Sequence, residues 1–181
     1  MPLEFMRVDH AFADQKQIDR IMKEQFPSEE YLSIDEQLAL QDQGEIEVWG
    51  LYEEKTLVGL TTLRIRSDMA YLFFLALDHP YQGKGYGKEA IRKIREHYPE
   101  KTITVDFELA DQKANNNEQR QRRKHFYAAC GFVETGWGLS YLGVNYEIAS
   151  MNKPFDIARF QAMLNPLPIK GFNPRSFLLI S

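Results

Sequence analysis

Hydrophobic positions in the first quarter of the chain recur at helical spacing. Apolar residues between Ile18 and Phe26 predict an amphipathic helix, with Asp14 as its cap and Pro27 at its end. Ser33 and Glu36 have the spacing of a capping box before a second helix, and a strand at residues 5–8 precedes both. The chain therefore opens with a strand and two helices.

Alternating or continuous apolar segments predict the remaining strands. They lie at residues 45–51, 57–66, 71–77, 102–108, 132–137 and 141–149. The segment at 71–77 is almost wholly apolar, as expected for a central strand covered on both faces. One helix is predicted after the glycines at 83–87. Another runs from an asparagine run at 115–117, interpreted as a loop and helix cap, to Cys130. This order predicts a mixed α/β fold with a largely antiparallel central sheet flanked by helices.

The pattern predicts one domain over residues 1–152 and a C-terminal extension over 153–181. The full length of 181 residues is sufficient for a single domain with a sizeable core. From Pro154 onward we predict a short helix and an irregular tail. We expect this extension to pack on the same domain or on a partner subunit.

Composition narrows the classes of partner. A net charge of -4 provides no general attraction for nucleic acid or for an anionic membrane, so neither is an expected partner. The single cysteine, Cys130, excludes an internal disulfide framework and suits a reducing compartment. The first residues lack the pattern of a secretory signal, and the apolar run from Leu72 to Leu77 is too short to cross a bilayer. We expect a cytoplasmic protein.

The most informative segment is LALDHPYQGKGYGK at residues 75–88, in which an apolar strand leads through glycines into a helix. Glycines allow close backbone approach, and a helix N-terminus offers unpaired N–H groups, so this loop is suited to a phosphate. A Walker loop is excluded because Gln82 stands where its first glycine is required and Glu89 follows Lys88. A dinucleotide fingerprint needs a small residue at Lys88. The alternative is that the glycines only shape a tight turn.

The pattern Gln82-x-x-Gly85-x-Gly87 resembles the pyrophosphate loop of the GNAT acetyltransferase superfamily. A second segment, FYAACGF at residues 126–132, resembles the Tyr-x-x-x-Gly-Phe signature of the same family. Motifs and strand order together cover about residues 5 to 150. The resemblance implies a GNAT-like acyl-CoA N-acyltransferase fold. It also implies an enzyme that transfers acetyl from acetyl-CoA to a primary amine of a small molecule or peptide, by direct attack in a ternary complex.

The resemblance also implies the residues that contact the coenzyme. Backbone groups of the loop would hold the pyrophosphate, and the preceding strand would pair with the pantetheine arm. These residues are Leu75, Leu77, Gln82, Gly83, Lys84, Gly85, Tyr86, Gly87 and Lys88. Asn117 corresponds to a family asparagine that touches the coenzyme, although it precedes Tyr127 by ten residues, and a helix cap is the alternative interpretation.

Two residues are implied to act in catalysis. Tyr127 matches the family tyrosine that protonates the departing thiolate, with a packed aromatic as the alternative. In the histone acetyltransferase branch a glutamate eleven residues before the loop glutamine is the base, but here that position is Tyr71. We predict Glu108 as the base instead of its neighbour Asp106, because Glu108 is nearer the end of its strand. A salt-bridged Glu108, or a catalytically inactive CoA-binding sensor, are the alternatives.

The remaining polar and aromatic residues give further predictions. Aromatic residues that either form the acceptor region or belong to the core are Phe26, Tyr31, Trp137 and Tyr141. The basic run from Arg120 to His125 is interpreted as a solvated helix face, with coenzyme phosphates, an acidic substrate group or RNA as alternatives. The histidines and Cys130 lack metal-ligand spacing, so no metal is expected. The family resemblance is compatible with a homodimer.

Overall fold

The computed structural model describes residues 2–28 and 30–179, and it confirms the predicted mixed α/β fold and the order of its elements. The described residues contain eight strands and five α-helices, and a 3₁₀ turn spans His79–Tyr81. In chain order the elements are β1 (Leu3–Arg7), α1 (Gln15–Gln25), α2 (Ile34–Asp42), β2 (Glu47–Glu53), β3 (Thr56–Arg66), β4 (Met69–Leu77), α3 (Tyr86–His97), β5 (Thr102–Glu108), α4 (Asn117–Ala129), β6 (Val133–Tyr141), β7 (Val144–Met151), α5 (Ile157–Leu164) and β8 (Arg175–Leu178).

The chain forms two compact units. The first contains the described residues up to Ile65 together with Leu72–His97, and the second contains Arg66–Tyr71 together with the described residues from Tyr98 onward. Strand β4 therefore contributes residues to both units. Within the parts of the chain that the structure describes, no helix is long and apolar enough to cross a membrane.

In the first unit, β1 to β4 lie side by side in chain order. Strand β2 pairs antiparallel with both β1 and β3. Gly59 of β3 permits a close approach to β4, because a Cβ at this position would lie 2.3 Å from the carbonyl oxygen of Ala76. Helix α3 covers the sheet through Ala90 and Tyr86, which pack in a cluster completed by the apolar side chains of Leu3, Leu51 and Val58. The start of α3 is thereby held on the core.

Of the two N-terminal helices, only α2 has the side-chain cap that the sequence predicts. Ser33 Oγ accepts a hydrogen bond from the backbone N–H of Glu36, which confirms the capping box of α2. The prediction for α1 was wrong in its mechanism. Asp14 is at the N-cap position, but its side chain makes no capping bond and instead accepts a hydrogen bond from the hydroxyl of Tyr52. The carboxylate of Asp14 thus accepts from the distant Tyr52 hydroxyl and not from a backbone N–H of the helix.

In the second unit the strand order is β5-β7-β6-β8, and all three neighbouring pairs are antiparallel. The hairpin of β6 and β7 folds back so that the later strand lies between β5 and β6. The C-terminal segment departs from the predicted irregular tail, since residues 175–178 form β8 on the edge of β6. Helix α5 precedes it, with Phe160 and Leu164 fully buried in the core.

Helix α4 starts differently from the predicted asparagine cap. Asn116 is at the N-cap position but makes no capping hydrogen bond, and Asn117 is the first helical residue. The side chain of Asn117 accepts a hydrogen bond at 2.8 Å from the backbone N–H of Asp111. Asn116 Oδ1 accepts from Arg120 at 2.8 Å. These amides therefore stabilise the loop before the helix. At the other end, Gly131 adopts a φ of 102°, which suits the residue after a helix C-terminus.

Asp78 fastens the end of β4 to α1. Its carboxylate accepts a pair of hydrogen bonds from Arg20, the shorter at 2.8 Å, and a further one from Gln17 at 3.3 Å. It also accepts the backbone N–H of His79 at 2.9 Å and thereby caps the 3₁₀ turn. Hydrogen bonding to Arg20 is the largest contribution that lowers the pKa of this carboxyl below its usual range.

Replacing Asp78 with asparagine is expected to lower the free energy of unfolding by about 1–2 kcal/mol at neutral pH, because charge-assisted hydrogen bonds are lost. The ordinary pKa of this carboxyl is 3.8, and Arg20 lowers it in the folded state. The difference in the free energy of unfolding between wild type and the variant is therefore complete above pH 3.8. It is lost at lower pH, as Asp78 becomes protonated. Urea unfolding at a series of pH values measures both effects.

Glu24→Gln is the matched control, because Glu24 also contacts Arg20 but at the exposed surface. We expect this change to cost less than about 0.5 kcal/mol. Equal losses from the two variants would show that Asp78 is no more than another surface ion-pair partner.

Candidate active site

The glycine loop leaves β4 through the 3₁₀ turn and enters α3. Gln82 stabilises this path, since its side-chain amide donates to the carbonyl oxygen of Leu77 at 3.1 Å. Gly83 and Gly85 adopt φ values of 72° and 89°, which side chains other than glycine rarely tolerate. Tyr86 then fixes the helix start, because its ring is buried and its hydroxyl donates to Glu53. The loop is therefore held at both ends.

Backbone N–H groups in this loop lack acceptors. From Gly83 to Lys88, no backbone N–H has a hydrogen-bond partner within the described residues. The first intrahelical bond runs from the N–H of Glu89 to the carbonyl oxygen of Gly85 at 3.1 Å. Lys84 and Lys88 have exposed side chains beside these donors. Unpaired N–H groups at a helix N-terminus, with lysines nearby, form an arrangement that binds anions.

Leu75 and Leu77 are half-buried on the first unit's apolar cluster. Their side chains belong to the core around Leu51 and Val58, as the sequence analysis allowed. The roles implied for these two leucines use the main chain and stay predictions.

Tyr127 is enclosed by aromatic rings in the second unit. Its ring is stacked on Phe107 with centroids 5.6 Å apart, and the edges of Phe126 and Phe132 lie at 5.2 and 5.5 Å. Burial raises the pKa of this phenol to about 12. The hydroxyl makes no hydrogen bond to the described residues, and the raised pKa keeps it protonated at neutral pH.

Glu108 lies in an ion pair. Its Oε2 is 2.7 Å from Arg120 Nη2, and both side chains are largely shielded. The side-chain amide of Asn116 donates to the same oxygen at 3.4 Å. Asn117 is close by in sequence, but its own side-chain carbonyl is used by Asp111. The ion pair is the alternative that the sequence analysis gave for Glu108, and the role of this residue as a base stays a prediction.

The structure also assembles a group that sequence reasoning did not connect. Asp106 of β5 accepts hydrogen bonds from the hydroxyls of Tyr71 at 2.6 Å and Tyr141 at 2.8 Å. Burial raises the pKa of Asp106, against the opposing effect of these two hydrogen bonds. The alternation along β5 places Asp106 on the same face as Glu108. This shared face was the only sign in the sequence that Asp106 could belong to the site. No local pattern reveals that tyrosines from β4 and β6 meet this carboxylate.

The basic run on α4 is partly solvated, since Arg122 and His125 are exposed, and partly paired within the second unit. Arg120 pairs with Glu108, and Lys124 contacts Glu147 at 3.1 Å and Glu134 at 3.2 Å. Glu147 is buried, so Lys124 compensates a shielded charge. This basic run is therefore tied to β5 and β7 through two of its members. Within residues 2–28 and 30–179, no group of three or more His, Cys, Asp or Glu residues is arranged to hold a metal ion.

A surface groove of about 590 Å³ lies along α1 and the start of α2 in the first unit. Both acidic and basic side chains line it, including Asp19, Arg20 and Lys23. Tyr31, predicted for the acceptor region, donates its hydroxyl to Asp19 at 2.6 Å. Phe26 packs on Phe74 with ring centroids 5.0 Å apart. These aromatics therefore have structural contacts within the unit.

The sequence model of the Acetyltransferase (GNAT) family matches residues 11–132, about two thirds of the chain. The chain belongs to this family. It is accordingly an N-acetyltransferase, of the class that transfers acyl groups. The family model spans both the glycine loop and the segment that carries Tyr127.

Solved structures with similar folds are GNAT proteins. A protein described as a GNAT-family acetyltransferase from Bacteroides thetaiotaomicron is 16% identical, with a TM-score of 0.73 over 92% of this chain and 99% of that chain. The ribosomal-protein-S18-alanine N-acetyltransferase from Escherichia coli is 15% identical, with a TM-score of 0.60 over 83% and 93%. A spermidine N-acetyltransferase chimera from Vibrio cholerae and hSSAT is 20% identical, with a TM-score of 0.65 over 83% and 95%. At these identities the likeness establishes the fold. No curated protein matches the chain.

The buried environment of Tyr127 predicts that its hydroxyl titrates at a higher pH than that of an exposed tyrosine. Burial raises its pKa to about 12, whereas an exposed tyrosine titrates near 10. The phenolate absorbance of wild type minus that of Tyr127→Phe should therefore stay flat through the range of ordinary tyrosines and rise only in stronger alkali. A difference signal that already appears around pH 10 would contradict the enclosed setting of the ring.

Proposed function

We propose that the chain binds acetyl-CoA through the glycine loop and transfers the acetyl group directly to a primary amine of a small molecule or peptide. The observation that carries this proposal is the run of unpaired backbone N–H groups from Gly83 to Lys88 at the start of α3. The pyrophosphate of the coenzyme provides the oxygens that such donors require. Family members use acetyl-CoA as co-substrate.

The loop fits a pyrophosphate for two physical reasons. Gly83 has no atom within 4 Å of the position that a Cβ would occupy, so one side of the loop is open to a ligand. The positive helix end and the exposed Lys84 and Lys88 add favourable charge. The loop residues that we propose as contacts of the coenzyme are Gln82, Gly83, Lys84, Gly85, Tyr86, Gly87 and Lys88. Leu75 and Leu77 would contribute main-chain groups, and Asn117 a polar contact.

Tyr127 would assist the leaving group. The thioester supplies an activated acetyl group; the amine nitrogen forms a bond to its carbonyl carbon while the carbon–sulfur bond breaks and the sulfur gains negative charge. Since burial raises the pKa of Tyr127 to about 12, its hydroxyl is neutral and can donate to that sulfur. The amine nitrogen must lose protons in the same reaction. Glu108 is the proposed acceptor, through the Oε1 atom that Arg120 and Asn116 do not engage.

The remaining features of the proposal rest on the sequence. We propose a catalytic domain over residues 1–152, a cytoplasmic location and a homodimer. The segment from residue 153 would then serve packing within the protomer. In support of that role, the side chains of Phe160 and Leu167 are buried within the second unit.

Gly85→Asp is expected to weaken acetyl-CoA binding by at least about 100-fold, because a carboxylate would stand among the phosphate-binding donors and a side chain would strain the positive φ. Calorimetric titration with acetyl-CoA, free CoA and ATP measures the effect. For wild type we expect micromolar binding of acetyl-CoA and no comparable binding of ATP.

The matched control is Gly44→Asp, since Gly44 also has a positive φ, at 76°, and open space around it. It introduces the same charge and the same backbone strain at a turn outside the loop. Acetyl-CoA affinity that is unchanged in Gly85→Asp, or lost equally in both variants, would overturn the assignment of the loop.

Tyr127→Phe is expected to lower kcat about 10- to 100-fold while the acetyl-CoA dissociation constant stays the same, because only leaving-group assistance is removed. Thiol release across a panel of primary amines measures turnover, and calorimetry measures binding. Unchanged kcat in this variant would leave Tyr127 as a packing residue. Absence of turnover by wild type with every amine would instead favour a CoA-binding sensor.

A further inference from the structure

Asp106 is held differently from three shielded carboxylates that lie in ion pairs. Asp78 is paired with Arg20, Glu108 with Arg120 and Glu147 with Lys124. Asp106, in contrast, has no basic side chain within the ion-pair distance of 4 Å among the described residues. Its partners are two phenols. A shielded carboxylate without a cation carries a desolvation cost that neutral donors only partly offset.

Aromatic rings surround this carboxylate. Tyr141 is stacked on Tyr146 with centroids 4.1 Å apart, and the ring of Phe172 lies 5.0 Å from Tyr141. On the side of β4, Tyr71 contacts Phe160 at 5.5 Å. The Tyr71 and Phe160 rings are buried, whereas Tyr141 and Asp106 itself remain partly exposed. The partly exposed carboxylate is therefore bordered by aromatic rings.

The two phenols leave room for a cation. A carboxylate offers about four acceptor positions, of which Tyr71 and Tyr141 occupy one on each oxygen. Burial and the neighbouring carboxylate keep the pKa values of both phenols well above their usual range, so the hydroxyls stay protonated and continue to donate. Their hydrogen bonds fix the orientation of Asp106. The free acceptor positions and the adjacent rings suit an alkylammonium group, which binds both carboxylates and aromatic faces.

We propose that Asp106 binds the ammonium group of the acceptor substrate, and that the substrates are therefore cationic amines with an apolar segment next to the nitrogen. This inference rests on the proposed acetyltransferase function and names its substrate class. Tyr71 and Tyr141 act as positioning residues. The incoming ammonium supplies the positive charge that the chain itself provides to Asp78, Glu108 and Glu147.

The test compares two probes that differ in charge. Wild type is titrated by calorimetry, without acetyl-CoA, with 2-phenylethylammonium chloride and with the neutral 2-phenylethanol. We expect the ammonium to bind about tenfold or more tightly than the alcohol. In Asp106→Asn this preference should disappear. Equal binding of the two probes by wild type, no binding of the ammonium, or a preference that persists in the variant would each overturn the proposal.

Asp156→Asn is the matched control. The side chain of Asp156 caps α5 by accepting a hydrogen bond from the backbone N–H of Arg159, and asparagine caps helices equally well. This variant should keep the full preference for the ammonium. A second measurement needs no variant: in wild type, the ring resonances of Tyr71 and Tyr141 should shift with the ammonium and not with the alcohol. Since acetyl-CoA is absent, a failure here leaves the glycine loop untouched, and a failure of acetyl-CoA binding leaves this test intact.

Discussion

The ion pair between Asp78 and Arg20 determines how the central strand ends. It holds Asp78, the residue that follows β4, against α1 while the same carboxylate caps the 3₁₀ turn. Everything in the glycine loop begins from this fixed point. Tyr86 supplies the second fixed point, through its buried ring and its hydrogen bond to Glu53. Between them the backbone follows a path on which Gly83 and Gly85 adopt positive φ values.

Hydrogen bonding in the loop follows from the geometry of the helix start. The N–H groups in the first turn of α3 have no intrahelical acceptor, and those from Gly83 to Lys88 stay unpaired within the described residues. The core around Leu51 and Val58 stabilises the unit without them. The anion binding that we propose for this loop thus depends on backbone donors more than on any side chain within it.

In the second unit, most shielded carboxylates are neutralised by basic side chains. Ion pairs connect α4 to β5 and β7 through Arg120 and Lys124, and each neutralises a shielded glutamate. Asp106 lies on the same strand as Glu108 yet receives only hydroxyl groups. The contrast between these neighbours comes from the partners that adjacent elements present: a helix arginine for one, and tyrosines from β4 and β6 for the other. Residue identity alone does not distinguish them.

The sequence by itself determined the fold class, the order of elements up to β7, the capping box at Ser33 and the loop from Gln82 to Lys88. These features are encoded by short-range periodicity and by spacing within a few residues. Only the tertiary structure decided that Asp14 bonds Tyr52 instead of capping α1, that residues 175–178 form a strand, and that Asp106 meets two tyrosines. Each of these depends on a partner distant in sequence, and a pattern read along one segment contains no information about which distant donor arrives beside it.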